Sequence, residues 1–211
     1  MIYISMFTND VVYSTHVKIL IKCLEKFELK SKIYEIENRG SWIKNTSQKA
    51  EIILRAMEDF PDENIVWIDA DAEIYEKPVL FDKLKCDLAF YFWHEKKELR
   101  SGTLFIRNNY EMKLFILNWI KLNNSNDIWE QRNLQTIIDS NIKTTNLPVE
   151  YCFIFDSKYD KELLKGSPVI VHNQASRKAK VILYSGNKII IDEIPKVRLV
   201  GNFKIKTGQG G

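Results

Sequence analysis

Cysteine is scarce in this sequence, and the three cysteines present are not spaced like ligands of one metal ion. Cys23, Cys86 and Cys152 are an odd number, and each stands among apolar residues. Such cysteines are usually small buried side chains in a reducing compartment, whereas a disulfide framework needs paired cysteines in an oxidising one. The sequence therefore predicts neither a disulfide scaffold nor a cysteine-based metal site.

Long apolar runs and a concentration of one charge are also missing. No apolar run approaches the roughly 20 residues that a membrane helix needs. The N-terminal segment MIYISMFTND has no basic region of the kind that opens a signal peptide. Lysine and arginine total 31 against 28 aspartates and glutamates, a net charge of +3 without a long basic block. Nucleic-acid binders usually concentrate their positive charge, so we expect no nucleic-acid partner. The lack of a long apolar run and of a signal-peptide pattern predicts a cytoplasmic protein with no membrane span.

The residues that are present suit an ordinary folded domain. Apolar residues make up 45% and charged residues 28% of the 211 residues, which fits one globular domain with at most a small appendage. In the first third of the chain, apolar spacing predicts strand 2–7, helix 11–27, strand 32–37, a helix capped by Thr46 or Ser47 that ends at Met57, and strand 65–68. This alternation predicts an α/β domain with a parallel sheet.

The second half follows a less regular pattern, as expected of mixed strands that extend the sheet. The predicted elements are a short helix at 78–84, strands 88–93 and 103–106, helices 110–122 and 129–138, and strands 149–155 and 169–172. Strand-like segments follow at 181–184, 189–191 and 197–200, before a tail rich in lysine and glycine at 204–211. We therefore expect a main domain at 1–180 and a strand-rich appendage with a frayed tail at 181–211.

Two carboxylates, Asp69 and Asp71, end a strongly apolar strand in the stretch NIVWIDADAEI. Ligands of an open parallel sheet bind beyond the carboxyl ends of its strands, and two carboxylates so placed can hold one hard cation such as Mg²⁺ or Mn²⁺. Three other interpretations stay open. A calcium loop is disfavoured because Ile74 stands where that loop needs glycine. An aspartyl-phosphate phosphatase also begins with a strand and Asp-x-Asp, and a bare Asp-x-Asp segment is often a solvated turn.

A histidine ends the last predicted strand of the main domain. In the segment PVIVHNQASRK, the apolar run stops at His172. A lone histidine at a strand end is often only a polar terminus. Beside two carboxylates, however, an imidazole can complete the ligand shell of a borderline ion such as Mn²⁺.

Taken in order, these motifs resemble glycosyltransferases with the GT-A nucleotide-sugar fold, in particular the family-8-like retaining enzymes related to glycogenin and bacterial galactosyltransferases. The segments that carry the resemblance are the first strand with Thr8-Asn9-Asp10, SWIKNTSQK, WIDADAEI, RSGTLF, Trp129-Glu130-Gln131 and PVIVHNQASRK, and they span residues 1–180. In the last segment, the family pattern His-x-x-Gly-x-x-Lys falls on His172, Ala175 and Lys178, so an alanine stands where the family has glycine.

The resemblance implies a Rossmann-like, mostly parallel sheet and a metal-dependent hexosyltransferase. It would move a sugar from a nucleotide-diphospho-sugar, expected to be a UDP-sugar, to a hydroxyl of a carbohydrate or other acceptor, with retention. By this resemblance, Mn²⁺ or Mg²⁺ would bind Asp69, Asp71 and His172. The donor would contact Thr8, Asn9, Asp10, Lys49, Ala70 and Lys178. Further substrate contacts would come from Lys44, Asn45, Ser101, Gly102 and Trp129, and the reaction site would be lined by Glu130 and Gln131.

Two other functions stay open from the sequence. A sugar nucleotidyltransferase on a related fold needs a Gly-rich loop after the first strand, and residues 8–10 contain no glycine. A sugar-nucleotide-binding module without turnover would keep the same motifs. At the level of single residues, Lys44 and Lys49 also fit solvated positions on a helix, and Trp129 also fits a core position.

Overall fold

The structure is a computed structural model that describes residues 1–175. The chain first forms β1 (Ile2–Thr8), α1 (Val11–Lys26), β2 (Ser31–Ile36), α2 (Trp42–Asp59), β3 (Ile65–Ile68) and β4 (Ala72–Ile74). It continues with a 3₁₀ turn (Phe81–Lys83), β5 (Leu88–Trp93), β6 (Glu98–Ile106), α3 (Tyr110–Ser125) and α4 (Glu130–Ile137). The last elements are β7 (Thr144–Asn146), a 3₁₀ turn (Val149–Tyr151), β8 (Phe153–Ile154), α5 (Lys158–Leu163) and β9 (Ile170–His172). The predicted α/β class is confirmed.

A six-stranded sheet in the order β2-β1-β3-β6-β5-β7 forms the centre of the fold. Strand β1 runs parallel to β2 and β3, and β7 runs parallel to β5, whereas β6 is antiparallel to both of its neighbours. The sheet is therefore parallel where the chain begins and mixed in its second half, as the sequence predicted. Because β1 and β3 are parallel neighbours, their carboxyl ends meet at one edge of the sheet, where ligands usually bind.

The apolar run of β3 is explained by its burial on both faces. Ile65 and Trp67 pack into the core covered by α2, α3 and α4, while Val66 and Ile68 pack into a second core beneath α1 and a small second sheet. A strand covered on both sides needs no alternation of polar residues. The strand is therefore fixed in the centre of the sheet, and the residues that follow it emerge at the ligand edge.

The small second sheet packs beside this edge. It has three strands in the order β4-β9-β8, with β9 antiparallel to β4 and parallel to β8. Strand β4 follows β3 after only three residues. Strand β9, from the end of the described chain, is thereby paired with β4, which directly follows the two aspartates.

Helix α2 begins earlier than the sequence predicted. It starts at Trp42, and the side chain of Ser41 accepts a hydrogen bond from a backbone N–H of the first turn. The predicted caps Thr46 and Ser47 lie inside the helix, where their hydroxyls donate to the backbone carbonyl of Ile43. All three residues are suitable caps, and the first one is used because no helix breaker follows it.

The prediction of a strand over 149–155 is wrong. The segment forms a 3₁₀ turn closed by the Cys152 N–H, which donates to the Val149 carbonyl, and only the two residues of β8 are extended. The hydroxyl of Tyr151 accepts the backbone N–H of Leu80, so a distant turn holds this conformation. Strand β6 also begins at residue 98 rather than 103, and β4, β7 and α5 were not predicted. These missed elements are short, with three, three and six residues, and local patterns are weak at such lengths.

The predicted appendage at 181–211 lies outside the described residues, as does Lys178. The predicted boundary at residue 180 therefore stays a prediction. Among the helices of residues 1–175, none combines the length and the apolar character needed to cross a membrane.

Candidate active site

The predicted metal ligands converge at the carboxyl edge of the central sheet. Asp69 and Asp71 follow β3, and the next residue, Ala72, pairs with His172 in the antiparallel strand β9. This register places the imidazole beside the two carboxylates. One ligand atom from each of the three side chains lies within 4.8 Å of the other two. Three such atoms are close enough to bind one divalent ion, and two carboxylates with an imidazole suit Mn²⁺.

Asp71 and His172 form the buried half of this cluster. Asp71 Oδ1 lies 3.8 Å from His172 Nδ1. Asp71 Oδ2 accepts a hydrogen bond of 2.8 Å from the backbone N–H of Ala175, the position where the resembling family has glycine. On the other side of the ring, His172 Nε2 lies 2.9 Å from Thr103 Oγ1. The imidazole is therefore oriented from both sides, with Nδ1 directed toward the aspartate.

The electrostatics of this pair follow from its burial and from its neighbours. Burial alone would raise the pKa of the Asp71 carboxyl, but the imidazole of His172 and the N–H of Ala175 hold this pKa below its usual value. Burial alone would lower the pKa of His172, whereas the adjacent Cys152 and Asp71 raise it. The site thus favours the ionised form of Asp71, which is the form of a carboxylate that binds a metal ion.

Gly102 lies directly under the imidazole. A Cβ atom at this position would stand 2.9 Å from Cε1 of His172 and 3.2 Å from both ring nitrogens, which is closer than van der Waals contact permits. The carbonyl of Gly102 also accepts the backbone N–H of Asp69 at 2.9 Å. Because Gly102 has no side chain, β6 can pass beneath the imidazole of His172, and the Gly102 carbonyl fixes the backbone of Asp69.

Asp69 is the exposed half of the cluster, with 37% of its side chain accessible to solvent. Its Oδ1 accepts the indole N–H of Trp67 at 2.8 Å and lies 3.1 Å from Lys49 Nζ. Within residues 1–175, no hydrogen bond reaches its Oδ2. One oxygen is thus held by the protein, and the other is available to a ligand.

Lys49 is the centre of a buried polar network on the far side of Asp69. Its Nζ lies 2.8 Å from Glu130 Oε1, and it donates to the carbonyl and the hydroxyl of Ser101 at 3.1 and 3.0 Å. The residue is only 3% exposed. Burial alone would lower the pKa of this lysine, but Asp69 and Glu130 raise it, so the ammonium stays charged. Lys49 is therefore not a solvated helix residue, and its three N–H donors meet protein acceptors.

Glu130 and Gln131 complete this network. Glu130 is 1% exposed; besides Lys49, its Oε1 accepts the Ser101 hydroxyl at 2.8 Å, and its Oε2 accepts the backbone N–H of Gln131 at 2.6 Å. Gln131 Oε1 accepts the Ser101 N–H at 3.0 Å, and its Nε2 donates to Glu98 Oε1 at 2.9 Å. Both side chains are therefore committed to hydrogen bonds inside the protein.

These groups border one cleft with a volume of about 470 Å³. The structure brings most of the predicted site residues together in its lining: Thr8, Asn45, Lys49, Asp69, Ala70, Asp71, Ser101, Gly102, Trp129, Glu130, Gln131 and His172. The predicted metal ligands and most of the predicted substrate residues that the structure describes therefore border one cleft.

Three predicted residues do not line this cleft. Asn9 is exposed, and Asp10 caps α1 by accepting the backbone N–H groups of the first turn while it also accepts the hydroxyl of Thr8. Lys44 is exposed on α2 and lines a smaller groove of about 200 Å³ with Arg39. These residues affect the cleft only indirectly, because Asp10 begins α1 and Lys44 lies in α2.

Several residues of the cleft were not predicted from the sequence. They are Tyr13, Trp42, Trp67, Trp93, Glu98, Arg100 and Cys152. Thr103, which contacts His172 behind the cleft, was not predicted either. For Trp67 a signal existed, since it is two residues before Asp69 and therefore on the same face of a strand. For Arg100 there was none, because its buried partner Asp160 is 60 residues away in the sequence.

Comparison with known proteins finds likeness in structure only. No protein-family model matches this sequence, and no curated protein matches it in a sequence search. A glycosyltransferase involved in the glycosylation of the major capsid of PBCV-1 aligns with a TM-score of 0.65 and 15% identity, over 85% of this chain and 97% of that one.

Two further solved structures give similar results. The glycosyltransferase GlyE of Streptococcus pneumoniae TIGR4 aligns with a TM-score of 0.59 and 15% identity, over 81% of this chain and 53% of its own. The galactosyltransferase LgtC, solved in complex with donor and acceptor sugar analogues, aligns with a TM-score of 0.52 and 11% identity, over 87% of this chain and 96% of its own. At these identities the likeness shows a shared fold, and the fold is that of glycosyltransferases.

Proposed function

We propose that this chain is a metal-dependent glycosyltransferase that moves a sugar from a nucleotide-diphospho-sugar to a hydroxyl acceptor. The observation that carries the proposal is the convergence of Asp69, Asp71 and His172 within 4.8 Å at the edge of a cleft, in a fold that known glycosyltransferases share. A UDP-sugar is the expected donor, and Mn²⁺ or Mg²⁺ the expected ion.

The chemistry of the three ligands supports this assignment. Two carboxylates and an imidazole fit Mn²⁺ well and Mg²⁺ less well, since Mg²⁺ prefers oxygen ligands alone. Such an ion supplies Lewis-acid stabilisation of the diphosphate that leaves when the glycosidic bond breaks. The protein provides the preorganised ligands: Thr103 and Gly102 orient His172, and Trp67 and Lys49 hold one oxygen of Asp69.

The role we assign to Lys49 is to hold Asp69 and Glu130 in place. The ammonium lies between the two carboxylates at 3.1 and 2.8 Å, and it is buried. The network thereby holds the Lys49 ammonium and the two carboxylates in position before the diphosphate leaves, so that no conformational change is needed during the reaction. The phosphate contact that the sequence predicts for Lys178 remains a proposal.

The surroundings of Glu130 support retention rather than inversion. An inverting enzyme needs a carboxylate base on the face opposite the leaving group, and Glu130 is the carboxylate that the sequence predicts at the reaction site. Its oxygens accept hydrogen bonds from Ser101 and Gln131 and face Lys49, so neither is free to accept a proton from an acceptor hydroxyl. Glu130 and Gln131 therefore act by shaping the reaction site.

The proposal is tested by binding and turnover. Nucleoside diphosphates are titrated into the protein with Mn²⁺ by calorimetry, and hydrolysis of a panel of UDP- and GDP-sugars is followed. We expect one nucleotide to bind in a manner that depends on Mn²⁺ and its sugar derivative to be hydrolysed. The variant D69A/D71A should lose the metal dependence, while D62A, which removes an exposed aspartate outside the cleft, should behave like the wild type.

A second candidate, a sugar-nucleotide-binding module without turnover, is favoured by one observation. Within residues 1–175, both proposed catalytic side chains are buried, and each of their polar atoms has a hydrogen-bond partner. The two functions differ in the second half of the experiment: a module would bind the nucleotide with Mn²⁺ but release no sugar from any donor. If no nucleotide binds with or without Mn²⁺, both functions are excluded.

A further inference from the structure

Two tryptophans at the wall of the cleft take no part in the proposed metal site. Trp42 is the first residue of α2, and Trp129 immediately precedes α4. Their ring centroids lie 5.3 Å apart, with an angle of 52° between the ring planes. Both side chains are half-buried and line the cleft. The two helix starts therefore join in an indole pair, which we call the tryptophan pair.

The tryptophan pair is not part of the hydrophobic core in the described chain. Neither residue belongs to the two apolar clusters on the faces of the central sheet, whereas Trp67 and Trp119 do. Large aromatic side chains outside a core, half-exposed in a concave site, present apolar area that a ligand can cover. Trp129 has no capping hydrogen bond to α4, so the helix does not need its side chain.

A carboxylate in the same cleft limits which class of ligand can bind at the tryptophan pair. Glu98 lines the same cleft, and its Oε1 accepts a hydrogen bond from Gln131, two residues after Trp129. Within residues 1–175, no hydrogen bond reaches Oε2 of Glu98. An unshared carboxylate oxygen accepts hydroxyl protons and repels phosphate. The site therefore combines an apolar wall with a hydrogen-bond acceptor and suits a neutral polyhydroxylated ring.

We propose that Trp42 and Trp129 bind the pyranose ring of the acceptor, with Glu98 accepting one of its hydroxyls. The description of this sugar as the acceptor rests on the proposed function, but the binding of the ring does not. The C–H groups on the faces of a pyranose pack against indole, and its equatorial hydroxyls reach outward to polar groups. Because the two indoles are inclined by 52°, a flat nucleobase cannot lie parallel to both.

The location of the pair supports the same assignment. Trp129 adjoins Glu130 and Gln131, the predicted reaction site, whereas the predicted nucleotide loop at 8–10 ends β1. Tyr13, which also lines the cleft, contacts Trp42, and its pKa is raised by burial and by the nearby carboxylates of Asp71 and Asp69. An aromatic wall therefore extends from the metal ligands to the tryptophan pair.

The test uses methyl α- and β-pyranosides of glucose, galactose and mannose as probes. Saturation-transfer NMR and titration are carried out with and without UDP and Mn²⁺. We expect saturation transfer to ring C–H protons of at least one pyranoside. W129L and W42L should each weaken its binding about tenfold, whereas W129F, which keeps an aromatic face, should lose no more than about threefold. UDP affinity of W129L should stay within about twofold of the wild type.

The control variant is Y110L. Tyr110 is also an aromatic first residue of a helix, α3, but it is exposed and lies outside the cleft, so its replacement should leave pyranoside binding unchanged. The proposal is overturned if no pyranoside binds, if W129L binds it like the wild type, or if W129L loses UDP and pyranoside in parallel. If pyranoside binding depends on the tryptophan pair but no nucleotide binds, the sugar site stands and the proposed transferase function fails.

Discussion

Gly102 is the residue of the candidate site with the least tolerance for change. In G102A the new methyl group would stand 2.9 Å from His172 Cε1, so the imidazole must move away from Asp69 and Asp71. We expect Mn²⁺ affinity, measured by calorimetry, to fall about tenfold, as is usual when the support of a metal ligand is disturbed. The matched control is G166A, because a Cβ atom there would meet no atom within 4 Å. Equal Mn²⁺ affinities in the two variants would contradict the role of Gly102.

Lys49 provides the second prediction at the residue scale. K49M removes a buried cation and leaves Glu130 and Asp69 without their partner, so the free energy of unfolding should fall by about 3–5 kcal/mol. Urea denaturation measures this change. K44M, on the exposed side of the same helix, is the control and should change little.

A double variant separates pairing from packing. If Lys49 acts through its pair with Glu130, then K49M/E130Q should be less destabilised than the sum of the two single variants, because it no longer buries an unpaired charge. A purely additive result would show that Lys49 stabilises the fold by packing alone.

Among the elements, α5 is joined to the central sheet by a buried ion pair. Arg100 in β6 donates to both carboxylate oxygens of Asp160 at 2.6 and 2.9 Å, and Asp160 also accepts the backbone N–H of Ile154 in β8. The helix has only six residues, which is too short to be stable in isolation. This pair therefore connects α5 to the central sheet, and through the Ile154 N–H it also contacts β8, which pairs with β9.

D160N should detach this region. It replaces a bidentate charged contact and leaves the buried guanidinium of Arg100 without its counter-ion, so we expect a loss of about 3–5 kcal/mol in the free energy of unfolding. Hydrogen exchange should accelerate first in residues 153–163. E162Q is the control, since Glu162 is exposed and lies 4.0 Å from Lys158 in a solvent-screened pair. Uniform acceleration over the whole chain would show that α5 has no separate stability.

At the scale of the whole molecule, metal binding should stabilise the fold. An ion that binds only the folded chain adds about 2.7 kcal/mol at a concentration of 100 times its Kd, which corresponds to a rise of roughly 5–10 °C in Tm for a chain of this size. Differential scanning calorimetry with Mn²⁺, followed by EDTA, measures the rise and its reversal. The variant D69N/D71N should show no rise, and an equal rise in it would place the ion elsewhere.

Elements determined by neighbouring residues could be predicted from the sequence, whereas contacts between residues far apart in the chain could not. Strands β1, β2, β3 and β5 were predicted because continuous or alternating apolar residues determine them locally. The convergence of His172 with Asp69 and Asp71 was predicted by the resemblance, and the β4–β9 register that produces it was not. Arg100 and Trp42 were missed for the same reason, since their partners are brought near only by tertiary contacts. Local sequence carries no record of such pairings.

The β4–β9 pairing also determines when the site can form during synthesis of the chain. Asn173 and Glu73, which hydrogen-bond next to the proposed metal ligands, are 100 residues apart. The central strands β1, β2 and β3 leave the ribosome much earlier, and β1 can pair with both of the others before β9 is made. Pairing of β9 closes a long loop, which is slow because the entropy is lost before the contacts form. Acquisition of Mn²⁺ should therefore mark the end of folding, and a nascent chain that stops before residue 170 should have a largely formed first half but no affinity for the ion.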